Sequence, residues 1–76
     1  VKVLIVISSE IIFEIVESPE GGYEAKALGY SICTQADTED ELKQQLRDAV
    51  QCHFESASER PQVIRLHWVR DELISA

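Results

Sequence analysis

Basic residues are scarce in this chain: seven Lys and Arg stand against 14 Asp and Glu, a formal charge of −7. That balance repels a phosphate backbone, so direct binding to nucleic acid is not expected unless Lys2, Lys26, Lys43, Arg47, Arg60, Arg65 and Arg70 gather in one place. Long hydrophobic runs are missing as well. The longest, Val3 to Ile7, falls far short of the about 18–20 apolar residues that cross a bilayer as a helix, and the N-terminus has no secretory cleavage pattern. Two cysteines, Cys33 and Cys52, do not make a disulfide scaffold; both read as reduced thiols and small core residues of a cytoplasmic protein. The three glycines, Gly21, Gly22 and Gly29, fall between strands and not at a strand-to-helix junction, so they form no phosphate-cradling loop.

What is present describes one small folded domain over residues 1–76. Its 45% hydrophobic and 28% charged composition is that of a globular chain. Its length allows one thin core and leaves no room for a large enclosed active site with a lid. From Glu10 to Glu17 the chain alternates, with Ile11, Phe13 and Ile15 on one side and Glu10, Ile12, Glu14 and Val16 on the other, the period-2 pattern of a half-buried strand. The turn residues Ser18-Pro19-Glu20-Gly21-Gly22 reverse it. A second strand follows, with Tyr23, Ala25 and Ala27 inward and Glu24 and Lys26 outward. Gly29 ends that strand, and Tyr30 to Gln35 reads as a third, presenting Ile32 or Cys33 to the core.

Thr38-Glu39-Asp40-Glu41 carries the Thr-x-x-Glu spacing of a capping box, with acids suited to the positive end of a helix dipole. The helix it opens runs to Phe54, with Leu42, Leu46, Ala49, Val50 and Phe54 as one apolar stripe. Pro61 prevents its continuation. Val63 to Val69 is the last strand, with Ile64, Leu66 and Trp68 on one face and Arg65 and His67 on the other. A strand in that position returns most economically parallel to one already present, by a right-handed crossover. The expected class is α+β: a β-β-β-α-β unit with one helix packed on a three- to four-stranded sheet. Residues 1–9 form an extra N-terminal strand or an extension. Because Val3, Ile5 and Ile7 share the run with Leu4 and Val6, it is apolar on both faces and suits a subunit contact.

No constellation for chemistry emerges. Glu10, Glu14, Glu17, Glu20 and Glu24 gather on the outer face of the hairpin in this reading, where a solvated face that protects the sheet accounts for them. Cys52 and His53 are adjacent and diverge around a helix, and His67 has no Cys or His near it in sequence, so there is no metal-ligand spacing. Neither cysteine has the orienting partners of a nucleophile. No enzyme activity, metal or cofactor is expected. Trp68, on the last strand, is a candidate interface anchor.

The run from Gly21-Gly22-Tyr23 through the strand to Gly29 and on to Asp37-Thr38-Glu39-Asp40-Glu41-Leu42 resembles the HicB family. These are antitoxins whose pattern runs from Gly-Tyr through an alternating strand and a tight turn to Thr-x-Gly-Asp-Thr-x-x-Glu-Ala. Ala36 stands where that pattern has glycine, Leu42 where it often has alanine, and the turn at Leu28-Gly29 lacks its proline. The resemblance covers about Ile11 to Val69. It implies a β-β-β-α-β fold like a partly degraded RNase H domain. It also implies a function: occlusion of a small basic HicA-type ribonuclease toxin, with a double-stranded-RNA-binding-like fold and a catalytic histidine, by a complementary acidic surface. The outward acids Glu14, Glu17 and Glu24 with Tyr23 and Tyr30 are the candidates for that contact. Family members that bind DNA carry a further segment after this domain, whereas here only Asp71 to Ala76 follow the last strand, so DNA binding is not expected. The alternative is a stand-alone homo-oligomeric domain of the same fold with no toxin partner, assembled through Val3, Ile5, Ile7 and Trp68.

Overall fold

The computed structural model describes residues 9–76; the expected N-terminal strand, with Val3, Ile5 and Ile7, lies outside the described residues. Strand β1 (Glu10–Glu17) turns through Ser18–Gly22 into β2 (Tyr23–Ala27), β3 (Cys33–Ala36) follows, and helix α1 (Glu39–His53) leads to β4 (Val63–Val69). The sheet order is β3-β2-β1-β4. β1, β2 and β3 form an antiparallel meander and β4 lies parallel to β1, as the crossover rule requires. The chain therefore has the α+β, β-β-β-α-β architecture.

Alternation places Ile11, Phe13 and Ile15 of β1 under the helix, all at most 1% exposed. Ala25, Ala27, Ile32 and Ala36 continue this face, and Leu42, Leu46 and Val50 close on it from α1. The helix lies nearest β3 and β2. Side-chain volume explains the offset, since β2 and β3 present alanines that let a helix approach while β4 presents Ile64, Leu66 and Trp68. Ile64 and Leu66 are in consequence only half-buried.

The helix begins at its expected cap. Thr38 is extended, and its hydroxyl accepts from the Glu41 backbone N–H at 3.2 Å. The Glu41 carboxylate reaches back to the backbone N–H of Asp37 at 3.3 Å, one residue beyond the usual capping-box donor. At the other end the Arg60 guanidinium donates to the Phe54 carbonyl at 3.1 Å, satisfying an acceptor that the helix leaves open.

Two expectations change. The third strand is Cys33–Ala36 and not Tyr30–Gln35, because the Ala27 N–H closes on the Ile32 carbonyl at 2.9 Å and holds residues 28–31 in a turn with Gly29 at φ +84°. That register buries Ile32 and turns Cys33 outward; Cys52 is also exposed, so neither thiol is a core residue.

Gly22 is fixed by contact as well as by φ. At +82° it takes a conformation that L residues avoid, and a Cβ there would stand 2.8 Å from the Ala36 carbonyl oxygen. Gly22→Ala is expected to cost about 1–3 kcal/mol, lowering the thermal midpoint by several degrees. Gly21→Ala, with φ +102° and nothing within 4 Å, is expected to lose less. Equal shifts for the two in a melting experiment would show that the approach to Ala36 is unimportant.

Candidate protein-binding surface

Topology brings two acidic segments together that are far apart in the chain. β2 starts where the hairpin turn ends, and antiparallel pairing sets Tyr23 opposite Ala36, the last residue of β3. The helix starts three residues after Ala36, so its first turn stands beside the β1–β2 turn. Glu17, Glu20 and Glu24 come from the hairpin, and Asp37, Glu39, Asp40 and Glu41 from the helix start. These seven are half of the 14 acids of the chain, and residues 17–25 and 34–42 contain no Lys or Arg.

Between the two segments lies an open cleft of about 400 Å³, lined by Ser18, Glu20, Tyr23, Glu24, Asp37 and Glu41 among others, with no basic side chain among the described residues of its wall. Among the described residues no three His, Cys, Asp or Glu side chains converge as metal ligands do. The carboxylates form a field and not a chelate. Next to the cleft, Tyr23 meets Trp68 edge-to-face at 5.6 Å, a favoured aromatic geometry. Trp68 is 41% exposed, so the acidic end carries an aromatic border.

The five contact residues expected from the sequence fall at three places. Tyr23 and Glu24 line the cleft. Glu17 stands at the same end of the sheet, opposite Tyr23 in register. Glu14 is half-buried on the helix-free face, between Lys26 of β2 and His67 of β4. Tyr30 is at the far end of the helix, edge-on to His53 at 5.7 Å and Phe54 at 5.3 Å. The single acidic hairpin face is therefore corrected. Strand alternation sets Glu17 on the same side as Ile15, apart from Glu14 and Glu24, which share the helix-free face. Glu24 stands at the edge of that face where it also borders the cleft, and Lys26 and Arg65 dilute the charge there. Asp37 and Glu41 were visible in the sequence only beside or within the helix cap, and Glu20 only as one of the hairpin acids; the pairing of Tyr23 with Ala36 makes them neighbours of one cleft.

Glu10 is committed elsewhere. Its two carboxylate oxygens accept from Nε and an Nη of Arg65, each at 3.0 Å. This fork geometry is specific to arginine. The hydrogen bond and charge of Arg65 hold the Glu10 carboxyl below its ordinary pKa, and Glu10 raises that of Arg65. The acids of the cleft have no such partner among the described side chains.

No family model matches the chain, and no solved structure matches it. Among curated proteins, one from Thermotoga maritima, named a UPF0150 protein, is 44% identical over 66 residues, covering 87% of this chain and 91% of that protein. Another from Archaeoglobus fulgidus, of the same name, is 53% identical over 49 residues, covering 64% of this chain and 73% of its own length. No helix of the described residues is long and apolar enough to cross a membrane.

Proposed function

This chain belongs to the UPF0150 family, and we propose that it is a HicB-like cytoplasmic protein that binds and occludes a small basic HicA-type ribonuclease with its acidic end. The observation that carries this reading is the cleft walled by Glu20, Glu24, Asp37 and Glu41 with no cation among the described residues that line it. Four carboxylates around one opening accept an Arg or Lys side chain of a partner as a charge-assisted hydrogen-bond donor, and the exposed edge of Trp68 beside Tyr23 offers apolar area to flank it. Occlusion requires no catalytic residue in this chain. The order of turn, strand and capping residues from Gly21 to Leu42 supports the HicB-like assignment.

The test is a mixture. A basic ribonuclease encoded beside this gene is purified, and its cleavage of RNA is followed as this protein is added. Cleavage is expected to fall in proportion to added protein and to stop at a fixed stoichiometry. Undiminished cleavage at excess protein rejects occlusion and leaves the alternative, a homo-oligomeric HicB-like domain with no toxin partner.

A further inference from the structure

Among the described residues β4 is an edge strand, paired with β1 on one side only. The direction of its backbone groups follows from one hydrogen bond. The Val63 N–H donates to the Ser9 carbonyl at 3.2 Å, and in a parallel ladder alternate residues turn both backbone groups to the same neighbour. Val63, Arg65, His67 and Val69 thus bond toward β1, while Ile64, Leu66 and Trp68 direct N–H and C=O outward. A strand with five β-branched, aliphatic or aromatic residues, Val63, Ile64, Leu66, Trp68 and Val69, and an open edge forms a template for strand addition.

We propose that this edge pairs with β4 of a second copy of the chain, antiparallel and centred on Leu66. In that register Leu66 faces the partner's Leu66, and Ile64 faces the partner's Trp68. All three outward-directed residues become hydrogen-bonded pairs, which supply two bonds each. A shift by two residues would leave an outward group at each end without its opposite. The apolar side chains match as well. On the helix side the facing rows are Ile64, Leu66 and Trp68 from both copies. On the other side Val63 meets the partner's Val69, and Arg65, already held by Glu10, meets the partner's His67.

Two further observations fit this occupant. The helix stands away from β4 and leaves an open groove floored by Leu46, Ile64 and Leu66 and rimmed by Lys43, Arg47 and Gln62, whose apolar floor the partner's Leu66 and Trp68 would extend. The two-fold axis would run perpendicular to the joined sheet, an isologous contact of the commonest oligomer symmetry. It sets the two acidic ends at opposite ends of the β4 pair. A seven-residue strand is about 23 Å long, beyond the about 8 Å screening length at physiological salt, so the charge of −7 on each copy does not oppose the contact strongly. The inference does not rest on the ribonuclease reading, although Trp68 borders both surfaces.

Sedimentation equilibrium of the full chain at micromolar concentration is expected to show a species of twice 8.6 kDa. Trp68→Pro removes an outward N–H, which an edge strand tolerates, and leaves the β1 ladder intact. It is expected to weaken the dimer about tenfold or more through two lost hydrogen bonds, with circular dichroism unchanged. The register is read separately by mild oxidation of a variant carrying Arg65→Cys and His67→Cys with Cys33→Ser and Cys52→Ser. Positions 65 and 67 form a pair with Cα atoms about 4.5 Å apart, within disulfide reach, so a covalent dimer linked 65-to-67 supports the proposal. A monomeric wild-type chain overturns it, including one whose own residues before Ser9 protect the β4 edge from amide exchange. So does a dimer unaffected by Trp68→Pro that forms no 65-to-67 link.

Discussion

Truncating Phe13 to alanine is expected to cost about 3–5 kcal/mol of folding stability, the range for buried Phe-to-Ala changes. Phe13 is 0% exposed on the strand that joins both halves of the sheet, with Ala27 opposite it on β2 and Leu66 opposite it on β4. Its ring is buried in one cluster with Leu42 and Leu46 of the helix and the small Ala25 and Ala27 of β2. A collapse of the helix onto that space is opposed by the Thr38 cap and by the Thr34 hydroxyl, which donates to the Gln45 side-chain oxygen, so a cavity remains. Domains hold about 0.05–0.15 kcal/mol per residue, so this one change removes a large fraction of the total. Urea unfolding followed by circular dichroism measures it. A loss below about 1 kcal/mol would mean that the core repacks and that Phe13 is not its keystone.

The second large effect concerns association. Glu20→Lys combined with Glu24→Lys replaces two carboxylates of the cleft wall with cations. Neither side chain accepts a hydrogen bond within the described fold, so folding should be unaffected. Against the basic ribonuclease, the association rate is expected to fall about tenfold or more at low salt, and the gap to wild type should narrow as salt rises. Stopped-flow mixing at several ionic strengths reads both. Glu14→Lys, beside Lys26 in the middle of the helix-free face and outside the cleft, is expected to have a smaller effect. An equal loss from Glu14→Lys would move the contact to that face, and no loss from the double variant would remove the acidic end from the interface.

The order of elements was legible from local pattern. Alternation about Ile11, Phe13 and Ile15, the stripe of Leu42, Leu46 and Val50, and the Thr38–Glu41 cap each depend on residues a few positions apart, and period and capping are properties of such short spans. The parallel return of β4 followed from the economy of a helix crossover to a strand already present. The third strand was less legible, because Tyr30-Ser31-Ile32 has strand composition and only the Ala27–Ile32 hydrogen bond shows that it turns.

The candidate surface was legible as a count of acids and not as a place. By itself the sequence determined the excess of negative charge, the class of the fold and which face of each strand is apolar, since these depend on composition and on short-range periodicity. Tertiary structure decided which acids share a cleft, by pairing Tyr23 with Ala36 and so bringing the helix cap beside the hairpin turn. It also decided that, among the described residues, β4 is an edge with Ile64, Leu66 and Trp68 directed outward, because strand order and hydrogen-bond direction are set by contacts between residues far apart in the chain.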